Sequence, residues 1–278
     1  RATPTVVQLV VGLVVLGAVG VLVERVLARG KGRVQPVFRR GWGTDVTYWF
    51  ATALVAKPLE KVVLVAAVVL LALLGLVPRT LLEGGAYAGF GPLASQPMWL
   101  QALQVYVLVD FVGYWMHRLF HRGRWWPFHA VHHSSEDLDW LASLRVHPVN
   151  DLGQKLAQAL PVLLLGYDPT VTLSTAPVLT LYGVLLHANV AWDFGPLRYV
   201  LASPVFHRWH HAREREAWDR NFASLLPLWD LLFGTLYLPR GRVPQDLGIC
   251  EPVPQGWLRQ MAWPFGWLRR RATKVDPA

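Results

Sequence analysis

The chain has 278 residues, of which 53% are hydrophobic and only 16% charged, with a mean hydropathy of +0.31 and a formal net charge of +9. An ordinary soluble domain carries roughly 25% charged residues, so the composition excludes a typical water-soluble enzyme, and its apolar content excludes a disordered chain. One cysteine, Cys250, excludes a disulfide framework and a cysteine-rich metal site.

The apolar runs predict an all-α, polytopic membrane helical bundle of about five membrane helices under a cytoplasmic, histidine-rich helical cap. The first span is Val6 to Val23, long enough at about 1.5 Å per residue to cross the hydrocarbon layer. Its basic residues follow the apolar run, which favours a retained anchor over a signal peptide. The block 46–77 is interrupted by Lys57, Pro58, Glu60 and Lys61. It reads as an interfacial helix over Thr47–Ala56 followed by a span centred on Val62–Val77. Met98–Met116 is the third span. Leu152–Leu165 and Val171–Ala191 are a pair joined by the turn signal Gly166-Tyr167-Asp168-Pro169. The tail from Gly256 interleaves tryptophans with Arg259 and Arg269–Arg271, as an amphipathic segment on a membrane surface does.

Most of the 27 Lys and Arg residues fall in the segments 24–45, 118–148 and 193–278, against Arg1 and Arg79 on the other side. The asymmetry predicts a cytoplasmic placement of those three segments, with the N-terminus outside and the C-terminus inside. In so apolar a chain, the positive charge points to anionic membrane lipids and not to nucleic acid. The expected organisation is an N-terminal anchor region with its basic loop (1–104), a catalytic region (105–238) and a basic amphipathic tail (239–278).

All ten histidines lie between positions 117 and 211. Eight form His117-x-x-x-His121, His129-x-x-His132-His133 and His207-x-x-His210-His211. On a helix, positions i, i+3 and i+4 share a face, so each cluster presents its imidazoles within one arc. Pro127 fits a first helical turn, and Ser203-Pro204 fits an N-cap and first position. His187 lies inside the last span, where an ionisable residue is a functional candidate. His147, before Pro148, is a further candidate ligand. Nine or ten imidazoles suit two metals with four or five ligands each, and imidazole alone is compatible with Zn, Cu, Fe and Ni. Asp110, two turns before His117, is placed to accept the free N–H of a ligating imidazole. A histidine-rich metal carrier and a non-catalytic metal-binding membrane protein are the alternative classes. Mid-membrane polar groups and repeated halves would mark the carrier, and no repeat is visible.

At these boxes, and at the flanks Asp219-Arg-Asn221-Phe222 and Leu228-Trp-Asp230-Leu-Leu-Phe-Gly-Thr235, the sequence resembles the fatty acid hydroxylase/sterol desaturase superfamily of membrane di-iron oxygenases. Within it, His133-Ser-Ser-Glu136-Asp137 resembles the alkylglycerol monooxygenase-like branch, and Arg145-Val-His147-Pro148 resembles bacterial sterol desaturase-type members. The resemblance implies two iron ions, for which zinc can substitute in a purified sample, with O2 as co-substrate. The eight clustered histidines and His187 then become ligands, with Asn189, Asp219, Asn221 and Asp230 in support. It further implies hydroxylation or desaturation of a bilayer lipid (fatty acyl, sterol or isoprenoid, or ether lipid). Electrons would come from a separate donor: a ferredoxin, a cytochrome b5-like protein or a reduced pterin. The excess of arginine over lysine places the chain in a bacterial inner membrane.

Overall fold

Proline and its capping neighbours start the helices that matter. The computed structural model describes residues 5–27, 35–83, 89–244 and 246–272. Arg1, Arg29, Lys31, Arg33 and Lys274, which entered the charge asymmetry, lie outside them. The described residues are helical with no strand: α1 (Val6–Leu27), α2 (Trp42–Ala51), α3 (Lys57–Leu73), α4 (Gly91–Ala94), α5 (Met98–Phe120), α6 (Trp126–His133), α7 (Pro148–Leu164), α8 (Pro169–His187), α9 (Pro204–His210), α10 (Leu228–Leu232) and α11 (Trp257–Ala272). The expected interfacial helix and second span are one continuous rod, because a π-helical turn at Thr52–Ala56 joins α2 to α3. Such a turn inserts a residue without breaking the hydrogen-bonded ladder.

Ser203 accepts from the Phe206 N–H at 3.1 Å and starts α9 with Pro204 in its first turn. Asp168 starts α8 in the same way through the Thr170 N–H at 2.7 Å. The turn between α7 and α8 needs Gly166, whose φ is 74°; a Cβ there would lie 2.3 Å from the Phe90 carbonyl oxygen.

α5 is the central post. It packs along α7 and α8, where Val105, Val162, Tyr167 and Val171 are buried together. One end of α5 enters a second core of Tyr114, Leu186, Ala202, Phe206, Phe222 and Ala223. This core seats α9 and the loop 219–235 against α5 and α8. The short turn Trp140–Leu144 lies on α8 and α2, and α11 lies on α6 and α2. The tail helix therefore rests part of its surface on the protein: Phe265 meets the rings of Phe128 and His147 edge-on.

Two helices among the described residues are long and apolar enough to cross a membrane: Val6–Val26 and Pro169–His187. This is fewer than the five spans expected. α3 and α7 have 17 residues each, and α7 carries Asp151, Gln154, Lys155 and Gln158. α5 is long enough but is diluted by Gln101, Gln104, Asp110, His117 and Arg118. In α1 the apolar surface is turned outward: Val7, Val11, Val14 and Leu22 are all more than half exposed. Water does not tolerate such a helix, and association with a membrane follows.

Candidate metal centre

Nine of the ten histidines converge, and they do so as two groups. One holds His117, His121, His129, His133 and His210; the other holds His132, His187, His207 and His211. Within each group the candidate ligand atoms all lie within 4.8 Å of one another. Each HxxHH cluster is divided. On α6 the i, i+4 pair His129 and His133 joins the first group, and His132 joins the second. On α9 and its C-terminal residue, the pair His207 and His211 joins the second group, and His210 the first. α5 supplies His117 and its C-cap residue His121, and the last turn of α8 supplies His187. His147 belongs to neither group. Its Nδ1 accepts from the Val149 N–H at 3.2 Å, so it caps α7, and its Nε2 faces the Met261 carbonyl at 3.3 Å.

Hydrogen-bond partners fix which nitrogen faces inward. The Nδ1 atoms of His117, His187 and His210 lie 2.7 Å from the carbonyl oxygens of Phe222, Gly183 and Arg220. His132 Nδ1 lies 3.2 Å from the Arg145 carbonyl. A carbonyl only accepts, so Nδ1 carries the proton in each ring and Nε2 presents a lone pair. His129 is held by Asn150, whose side-chain oxygen is 2.6 Å from Nδ1. The inward Nε2 atoms then crowd together. His117 to His129, His129 to His133, His132 to His187, His187 to His207 and His207 to His211 are separated by 2.9–3.1 Å.

For His132 and His187 both inward nitrogens are lone-pair acceptors, so no hydrogen bond can join them. A cation between them removes the conflict. With metal–nitrogen bonds of about 2.1 Å, two ligands at right angles stand about 3.0 Å apart, so the spacing fits. His121 Nε2 and His210 Nε2 are also buried without a partner among the described residues. Burial, and then the neighbouring imidazoles, push His129, His133, His207, His210 and His211 well below the usual histidine range. Burial and His187 do the same for His132. Neutral rings are the form a metal binds.

The loop 219–235 places the outer partners. Asp219 Oδ1 is 3.2 Å from His121 Nδ1. Asn221 holds the loop to α9 by donating to the Phe206 and Tyr237 carbonyls, at a φ of 57° that asparagine tolerates. Asp230 accepts from the Phe222 and Ala223 N–H groups at 2.8 and 2.9 Å and from the Thr235 hydroxyl at 2.6 Å.

Asp110 does not touch an imidazole. Its carboxylate accepts from the backbone N–H groups of Ser224, Leu225 and Leu226 and from the Trp229 indole. The expected contact to a ligating imidazole is not made; the His117 Nδ1 proton goes to the carbonyl of Phe222, in the loop that Asp110 anchors. The Asn189 backbone N–H donates to Glu24 at 3.0 Å. Asn150 and the four carbonyls were missed from sequence. Asn150 sits in the first turn of α7 with no motif to mark it, and a carbonyl has no sequence signature.

Beneath the second group lies a buried ion network. Arg145 donates to Asp45 at 2.6 Å, and Arg39 bridges Asp45 and Asp139. Asp139 also caps the turn Trp140–Leu144 through the Leu141 and Ala142 N–H groups, both at 3.0 Å. The first group is more open. A cavity of about 330 Å³ reaches His121, His133 and His210 between Trp126, Trp218 and Trp267.

Residues 102–235 match the family described as "Fatty acid hydroxylase". The chain is 35% identical over 170 residues to an ornithine lipid hydroxylase of Rhizobium tropici, covering 61% of this chain and 51% of that protein. It is 34% identical over 146 residues to the human (Homo sapiens) alkylglycerol monooxygenase, covering 52% and 32%. A third relative is a very-long-chain aldehyde decarbonylase of rice (Oryza sativa subsp. indica), 30% identical over 145 residues, covering 46% and 21%. The chain thus spans about half the length of the first of these relatives and less of the others. No solved structure matches the chain.

Proposed function

We propose that this chain, which through residues 102–235 belongs to the fatty acid hydroxylase family, is a membrane di-iron oxygenase that hydroxylates or desaturates a C–H bond of a lipid. The observation that carries this reading is the pair of facing histidine groups, with five and four candidate ligands. No carboxylate takes part in either group among the described residues. Two iron ions held there supply the activation of O2, with two electrons from a separate donor such as a ferredoxin, a cytochrome b5-like protein or a reduced pterin.

The chain's own part is positioning. The carbonyls of Phe222, Arg220, Arg145 and Gly183 hold the Nδ1 protons of their histidines and so keep Nε2 available. Asp110 and Asp230 hold the loop that carries two of those carbonyls. Phe222 is buried against the rings of His117, His121 and His210 and excludes water from that side. Similarity to an ornithine lipid hydroxylase and an alkylglycerol monooxygenase supports a membrane lipid as substrate.

The same reading places five spans at α1, the α2–α3 rod, α5, α7 and α8, in a bacterial inner membrane with the N-terminus outside. The histidine groups then lie at the cytoplasmic boundary, beside anionic headgroups. Exposed apolar residues on α3 (Val62, Val65, Leu73) and α8 (Leu173, Leu181) support this. The region 1–104 anchors, 105–238 carries the metals, and 239–278 lies on the surface.

The test is lipid analysis of bacterial cells with and without the protein, together with metal analysis of the purified chain. The expected product is one oxygen atom heavier or two hydrogens lighter than its precursor, with two irons per chain. His132→Ala must lower both metal and product. Full activity with unchanged metal would end the proposal.

A further inference from the structure

A second cavity, of about 510 Å³, lies between α1, the segment 35–42 and the turn Trp140–Leu144. Its volume is that of a small-ligand site. One end is apolar: Leu13, Val14, Gly17 and Val21 line it along one side of α1, with Trp42 and Trp140 opposite. From Leu13 to Glu24 this wall rises about 16 Å. The other end is polar and acceptor-rich. Glu24 Oε1 is held by the Asn189 N–H at 3.0 Å and the Trp140 N–H at 3.3 Å. Its Oε2 takes no protein hydrogen bond among the described residues, although the side chain lines the cavity. Gln35 also lines the cavity, and its Oε1 is buried without a partner among the described residues.

Of the charges around Glu24, Arg25 also lines the cavity, and the others are engaged elsewhere. Asp139 is paired with Arg39, and Arg208 gives Nη1 to the Leu138 carbonyl at 3.2 Å. No ion pair to Glu24 forms among the described residues. The N–H that orients Glu24 belongs to Asn189, two residues beyond His187, so the polar end stands beside the four-histidine group.

We infer that this cavity binds a lipid carrying a primary ammonium, with the ammonium on Glu24 and Gln35 and the chain along the Leu13–Val21 wall of α1. An ammonium brings three N–H donors and a positive charge. It satisfies both open acceptors at once, where a single hydroxyl satisfies one. The apolar wall and the location at the end of a membrane-facing helix select a chain-bearing molecule over a free amine. This assignment rests on the lipid-oxidising reading for its purpose, though not for its binding.

The test uses the detergent-solubilised, iron-loaded chain and two probes of equal length, dodecylammonium and dodecanol, followed by tryptophan fluorescence from Trp42 and Trp140. The wild type should bind dodecylammonium about tenfold more tightly than dodecanol. Glu24→Gln keeps the Oε1 acceptor and should erase the preference; Gly17→Phe fills the apolar end and should weaken both probes. Equal binding of the two probes by the wild type, or a preference retained by Glu24→Gln, overturns the site. Iron content and O2-dependent lipid oxidation are read on the same preparations. Preference without oxidation removes the oxygenase reading and leaves the site standing; oxidation without preference removes the site alone.

Discussion

The two histidine groups use the same ligand chemistry but sit in different surroundings. The five-histidine group opens through His121, His133 and His210 onto a cavity walled by three tryptophans. The four-histidine group is closed: all four of its histidines are buried, and His132 is held by the carbonyl of Arg145, itself locked to Asp45. The first takes most of its outer partners from the loop 219–235, with Asn150 of α7 on His129, and the second takes its own from Gly183 of α8 and from Arg145. Access belongs to one group and rigidity to the other.

The largest effect that tests this contrast is loss of a ligand of the closed group. His207→Ala should abolish lipid oxidation and lower iron from two towards one per chain, a greater loss than the roughly 10–100-fold expected for an outer partner. Metal analysis and turnover check it. Next is the buried network. Arg145→Met leaves Asp45 buried beside one cation instead of two, and should lower stability by about 3–5 kcal/mol in thermal unfolding. Asn150→Ala removes the group that holds His129, and should weaken iron binding by about 10–100-fold while leaving the closed group loaded. A smaller effect is expected from Asp219→Asn, whose partner His121 stands at the open cavity and whose side chain is largely exposed; iron affinity should change by less than about tenfold.

The pH dependence follows from the histidines of α6 and α9. Burial holds them well below the ordinary range in the folded chain, whereas the unfolded chain titrates near pH 6.5. Their contribution to stability is therefore complete above about pH 6.5 and is lost as pH falls below it, where the unfolded state takes up protons first. The melting temperature of the chelated chain should drop between pH 7.5 and 5.5, and iron should slow the loss.

Much of the centre was legible because its signal is local. Spacings of three and four residues put histidines on one helical arc, and Ser203-Pro204 marked the start of α9. What was not legible is long-range. Nothing in His129-x-x-His132-His133 says that its members divide between two groups; that follows from how α6 faces α5 on one side and α8 with α9 on the other. Asp110 was rightly singled out as a buried acid in a helix, but its partners are backbone amides 114–116 positions away, and no side-chain pattern announces them. Only some of the expected spans stand out by length and apolarity, because α7 has a polar first half whereas α1 is apolar but for Gln8 up to Val23.

The division of the HxxHH clusters has one more result. In α6 and again in α9, neighbouring residues of a single helical turn reach into different groups. The separation of the two groups is thus set by the pitch of a backbone helix, in duplicate, and needs no bridging side chain to act as a ruler. A rotation of either helix that loosens one group must disturb the other, whereas loss of a single ligand or outer partner weakens the group it belongs to.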